Sequence, residues 1–245
     1  MDYRILIKNK NMKNQKSVMI LILSLSLTII CRAQVFVPFS HWTERNNCST
    51  GYCPTLNVSA ASLLGTAGMT QIVSTCIDDN SILVQFPFDF FLNQTAFTNW
   101  YIGSNTYITA GAGSAVYSGL SASVPALPKF HIGAGDGNYQ AVYKISGTNY
   151  IRMRVEGNSA YGTCSVNTIY EITFYRPTVN YQYVQIVFGA HGRTNGQFGV
   201  ANASTYYASN PTLTINSSYV FYSTNGGINW TILPNYSITG VGTTL

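Results

Sequence analysis

Acid–base chemistry on a glycosidic bond needs two carboxyl groups converging across a cleft, and their separation sets the stereochemical course. The sequence offers few candidates. Glu156 and Glu171 lie in segments that read as neighbouring strands, but Arg152, Arg154 and Arg176 accompany them, the pattern of a solvent-facing charge ladder. Asp78 and Asp79 are consecutive and diverge in an extended chain, and Asp89 follows an aromatic run without an evident partner. Nucleophilic catalysis finds no Gly-x-Ser-x-Gly elbow among the serines. No catalytic residue is therefore expected. The densest polar cluster is the Gly-rich stretch 188–198 (FGAHGRTNGQF), where His191 and Arg193 suit a sugar acid or a partner carboxylate, against the alternative of a plain loop tip. The stretch 133–138 (GAGDGN) has a calcium-loop composition, yet Asp136 alone brings little charge to a site that takes about six to eight oxygens. A tight turn is the expectation there, with no metal and no cofactor.

The cysteines depend on compartment. Lys13 and Lys16 precede an apolar run, 18–31 (VMILILSLSLTIIC), which as a helix rises about 21 Å, short of the roughly 30 Å hydrocarbon core. Cys31 and Ala33 then fall at the small-residue positions of a signal cleavage site, so residues 1–33 are expected to be a signal peptide and Gln34 the mature start. An uncleaved membrane anchor is the alternative. Export leaves Cys48, Cys53, Cys76 and Cys164, which in an oxidising compartment read as two disulfides with three possible connectivities. Metal binding would want tighter clusters than these cysteines and His41, His131 and His191 form.

Charge narrows the partners. The net charge of +5 resides in the leader: from Gln34 onward seven basic residues meet seven acidic ones. A neutral body has no nucleic-acid footprint. Only 9% of residues are charged, while 18 Tyr, 12 Phe and 21 Gly favour strands and turns over long helices.

Those strands must position whatever the chain uses. In 150–156 (YIRMRVE), Ile151, Met153 and Val155 alternate strictly with Arg152, Arg154 and Glu156, a strand with one wet face. Segment 140–146 pairs with it through the short turn 147–149, and 168–175, 181–188, 81–88 and 99–109 read as further strands. A hairpin at 219–233 turns at Asn225, Gly226 and Gly227. Only 59–67 carries a trace of helical period. Short strands at roughly ten-residue spacing predict an all-β protein, an antiparallel β-sandwich of jelly-roll type. Residues 82–245 form the sandwich, and 34–81 pack on it as a disulfide-stapled N-terminal segment.

Residues 86–111 (FPFDFFLNQTAFTNWYIGSNTYITAG) resemble the opening of nidogen-like β-sandwich modules of secreted proteins, where an aromatic strand leads through a Ser, Asn and Gly turn to a second aromatic strand. Thr106 stands where that family usually has Gly, and Ala110 where it often has Phe. The strands at 152–157 and 170–177 (YEITFYRP) are similar to a pair in sandwich modules of phage virion and fibre proteins. The resemblance spans 82–188 and implies an extracellular or virion-surface structural and adhesion module without catalysis. Residues 223–230 (STNGGINW) are similar to the Asp-box turn of sialidases and other propeller proteins, with Asn225 for Asp. The turn explains itself physically: the polar residue bonds the turn amides, glycine takes positive φ, and Trp230 packs beneath.

Three functions compete on this basis. The first is a surface or filament-forming subunit; the apolar start Val35, Phe36, Val37 and Phe39 could add as a strand to a neighbour's sheet edge. The second is a receptor- or glycan-binding module, with Trp100, Tyr101, Tyr107, Tyr206 and Tyr207 as stacking candidates. The third, a secreted glycan hydrolase, would rest on Asp89, Glu156 or Glu171. Partners are thus the protein itself or a surface protein or glycan, with no nucleic acid, and a membrane only through the leader if uncleaved. Seven Asn-x-Ser/Thr sequons in the body matter only in a eukaryotic secretory route.

Overall fold

The computed structural model describes residues 55–57, 61–117, 125–132, 136–158, 164–190, 198–202, 205–210 and 216–239. The signal segment, the assembly strand from Val35 to Phe39, Cys48, Cys53, His191 and Arg193 lie outside the described residues. The strands run β1 (Thr55–Asn57), β2 (Thr70–Val73), β3 (Ile77–Asp78), β4 (Ser81–Leu92), β5 (Thr95–Gly103), β6 (Tyr107–Ala110), β7 (Lys129–Ile132) and β8 (Asn138–Ser146). They continue with β9 (Tyr150–Asn158), β10 (Thr168–Tyr175), β11 (Gln182–Ala190), β12 (Phe198–Ala201), β13 (Tyr206–Asn210), β14 (Ser217–Ser223), β15 (Thr231–Pro234) and β16 (Ser237–Thr239). Among the described residues there is no helix; the trace of helical period at 59–67 corresponds to an irregular strap over residues 61–69.

Two antiparallel sheets pack together as a sandwich. The larger has eight strands in the order β15-β14-β11-β10-β9-β8-β2, with β3 also on β8; the smaller has six, β13-β12-β7-β6-β5-β4. Strands β4 to β7 and β8 to β11 are meanders, and the chain crosses between these two sheets after β3, β7, β11 and β13. A two-stranded ribbon, β1 with β16, completes the architecture.

The core follows from alternation. In β4, Val84, Phe86, Phe88, Phe90 and Leu92 point inward while Leu83, Gln85, Pro87 and Asp89 face out. Phe174 of β10 is the hub, with ring centroids 4.9 Å from Phe86, 5.1 Å from Phe90, 5.2 Å from Trp100 and 5.2 Å from Phe130. Tilted and edge-on contacts of this kind let aromatic quadrupoles attract while the rings fill the space between the sheets. Pro87 is tolerated because β4 is an edge strand whose pairing with β5 is interrupted between Gln85 and Phe90.

Among the described residues one disulfide, Cys76–Cys164, joins the corner between β2 and β3 to the segment before β10. Strands β2 and β3 fall inside the expected 34–81 segment, and both lie on the larger sheet against β8.

Candidate functional site

Two of the carboxylates put forward for catalysis, Glu156 and Glu171, have structural partners. Across the outer face of the larger sheet, Arg154, Glu171, Val187 and Ser218 form one cross-strand row. The Arg154 guanidinium bonds Glu156 at 2.7 Å and Glu171 at 3.0 Å. The strap crosses this row. Its Ala61 amide donates to Ser218 Oγ, and its Leu64 and Gly65 amides donate to the two Glu171 carboxylate oxygens at 2.9 Å each. Leu63 lies against Gly189, where an added Cβ would sit 2.2 Å from the leucine Cδ1. The expected solvent-facing ladder is therefore only half right: its charges do pair, but the strap covers Glu171, whose side chain is 3% exposed. The remaining acid, Asp89, is exposed on the outward side of β4.

The aromatic stacking candidates separate on inspection. Trp100 is in the core, and Tyr107 is buried with its hydroxyl donating to the Val116 carbonyl. Tyr206 and Tyr207 face opposite ways, as neighbours on a strand must. Tyr207 packs on the core, while Tyr206 shares a 2.8 Å hydrogen bond with His131 Nδ1 on the outer face of the smaller sheet. This contact joins Tyr206 to a cluster that sequence reasoning missed. On β7, Lys129 and His131 alternate with the core residues Phe130 and Ile132, so both polar side chains share the outer face with Tyr107 and Thr109 of β6. The segment after β6 roofs them: Thr109 Oγ1 donates to the Ala112 carbonyl, and Lys129 Nζ donates to the Pro125 carbonyl. The signal was the alternation in KFHI, a run of only four residues.

Burial leaves its mark on this cluster. It pushes the Tyr206 hydroxyl up to about 12 and the Lys129 ammonium from 10.5 down to about 8. Between that value and the ordinary lysine range the unfolded chain binds more protons than the folded one, so Lys129 makes stability rise with pH across that window. Unfolding midpoints of wild type and Lys129→Met, followed from about pH 7 to about pH 10, should diverge, wild type rising relative to the variant. Parallel curves would contradict the desolvation of Lys129.

Acidic side chains also meet where the chain changes sheet. Asp78, Asp79 and Asp136 place carboxylate oxygens within 4.8 Å of one another, since β3 pairs with the start of β8 at Asp78 and Asn138. Asp136, weighed alone in the sequence, thus has two acidic neighbours. This is the group among the described residues that could supply oxygen ligands to a hard cation.

The turn at 223–230 is built as its sequence implies. Ser223 Oγ accepts from the Gly227 amide at 2.9 Å, Asn225 Oδ1 accepts from the Asn229 amide at 3.0 Å, and the Trp230 indole donates to the Gly227 carbonyl at 3.0 Å. Gly227 has a φ of 78°, and a Cβ there would lie 2.3 Å from the Phe91 carbonyl oxygen. The turn clips the two sheets together, because Asn93 and Gln94 of the β4–β5 turn donate backbone bonds to Gly227 and Gly226. Nearby, the buried Gln182 side chain bonds both the amide and carbonyl of Phe91, closing the free edge of β4.

A second aromatic feature appears on the larger sheet. Tyr150, Tyr175, Tyr183 and Tyr222 are direct cross-strand partners over β9, β10, β11 and β14. Tyr175 and Tyr183 are buried, with centroids 6.3 Å apart, and Tyr222 stacks on Tyr183 at 6.4 Å. Tyr150, Tyr181, Tyr222 and Tyr236 are half-buried around them, together with Leu56 and Ile238 of the ribbon. Each member was visible in the sequence, but the row arises from register between strands distant in the chain.

In comparisons with known proteins the chain matches no family model, no curated protein and no solved structure.

Proposed function

We propose that the mature chain is a non-catalytic extracellular module, structural or adhesive, that works by contact on a cell surface, filament or virion, and that the tyrosine row is its contact face. The observation that carries this reading is the set of half-buried rings, Tyr150, Tyr181, Tyr222 and Tyr236, around the buried Tyr175 and Tyr183: such phenols offer apolar area and a polar tip at low entropic cost, a combination favoured at recognition surfaces. The near-neutral body, with seven basic and seven acidic residues after Gln34, adds little long-range repulsion between molecules. Thr106, at the place where nidogen-like modules usually carry glycine, has a φ of 61°, a conformation glycine adopts without strain. Edge pairing at β4 is disfavoured by the outward Pro87 and Asp89 and by Gln182, which moves the expected contact from that edge to the face. A glycan partner is the second reading, favoured by the same rings.

The test replaces Tyr181 and Tyr222 by serine, leaving the buried Tyr175 and Tyr183 in place. The double variant is expected to keep the wild-type circular dichroism spectrum and lose at least about tenfold in self-association or surface binding, the loss of about 1.4 kcal/mol. Glycan-array binding that vanishes with it would select the glycan reading. Unchanged association and binding in a folded variant would remove the tyrosine row from the function.

A further inference from the structure

At one end of the sandwich interior, Tyr139 of β8 and Tyr170 of β10 direct their rings into the core, each about 1% exposed. Both hydroxyl oxygens are buried and have no hydrogen-bond partner among the described residues, the other tyrosine included. A buried hydroxyl without a partner costs on the order of 1–3 kcal/mol, and two side by side are an unusual expense for a folded core. The rings cannot simply swing toward another acceptor: Tyr170 is packed against Phe188 at 6.4 Å, and Tyr139 belongs to the same core cluster.

The two phenols line a narrow cavity with Ser104 and Thr106 from the β5–β6 turn and with Asn138, Gly157, Asn158 and Thr168 from the larger sheet. The space open to the centre of a water-sized sphere is about 10 Å³. One water molecule needs about that much and two to four polar partners, and genuinely dry cavities have apolar walls. These walls mix apolar surface with the polar side chains of Ser104, Thr106, Asn138, Asn158 and Thr168. A phenol hydroxyl donates one proton, and a water oxygen accepts two, so one water can accept from both tyrosines. Its own two protons then go to hydroxyl or amide oxygens of the lining. A metal ion is a poor fit, since the cavity lining includes no carboxylate.

We infer that this cavity is a binding site for a single internal water, held by Tyr139 and Tyr170 and bridging the larger sheet to the β5–β6 turn of the smaller one. The phenols are kept in the neutral, proton-donating form: burial raises both well above the ordinary tyrosine value. The site extends the aromatic core at the point where the interior turns polar, and it gives that turn a link to the opposite sheet.

The experiment is the sign of the Tyr→Phe effect, read with a direct probe for water. Deleting a hydroxyl that has no partner should leave stability unchanged or increased, whereas deleting one that binds a buried water lowers it. Tyr139→Phe and Tyr170→Phe are each expected to lower Tm by about 2–4 °C, with the fold intact. In the wild-type protein, water-selective NOE and ROE spectra are expected to show a long-lived water at the Tyr139 and Tyr170 ring protons, reduced in either variant. A Tm that stays level or rises in both variants overturns the site, and so does the absence of a long-lived water signal in wild type.

Discussion

Replacing Cys76 and Cys164 together by serine is expected to lower stability by about 4–5 kcal/mol, because the bridge closes a long loop that the unfolded chain would otherwise explore freely. The two residues are 88 positions apart. That loop includes β4 to β9, so the constraint acts on most of the smaller sheet and half of the meander in the larger one. Strand β3 is only two residues long and β2 pairs with β8 across a register shift, so the bridge also holds a corner with few backbone bonds of its own. Urea unfolding of the double variant against wild type provides the measurement. A loss below about 1 kcal/mol would mean that the bridge constrains little in the unfolded state.

Glu171→Ala is expected to be the next most damaging change, at about 3 kcal/mol. Glu171 pairs with Arg154 and accepts from the Leu64 and Gly65 amides, so truncation leaves the guanidinium with Glu156 alone and strands two amide donors beneath the strap. Glu171→Gln keeps an acceptor for the amides and should lose less. Equilibrium unfolding of the two variants checks the order. Equal and negligible losses would show that the strap is held by something other than this carboxylate.

The contrast between Glu171 and Tyr139 shows what could be read in the chain and what could not. Strict alternation made β9 visible, since Ile151, Met153 and Val155 face the core and Arg152, Arg154 and Glu156 the other side. Aromatic alternation did the same for β4, and the glycines of the 223–230 turn fixed the hairpin before β15. Strand β7 escaped because KFHI alternates over only four residues, and β12 because FGVA is buried on both sides and has no polar residue, so period two carries no polarity signal there. The strap escaped for a different reason. Its hold on the sheet comes from Glu171 and Ser218, 106 or more residues away, and no local pattern announces such a contact. The same holds for the acidic cluster and the tyrosine row, which exist only once strand register is set. His191 and Arg193, the polar pair most conspicuous in the sequence, lie outside the described residues, and the polar cluster that the structure does describe is centred on Lys129, His131 and Tyr206.

The central claim is that this protein acts by contact and not by catalysis. Sedimentation velocity of the purified mature chain over a concentration series, paired with saturation binding to cells and immobilised glycans, tests it most directly. The account predicts concentration-dependent association or saturable surface binding, both weakened by the Tyr181→Ser, Tyr222→Ser pair. A protein that remains monomeric at the highest concentration and coats no cell, glycan or partner surface would contradict it.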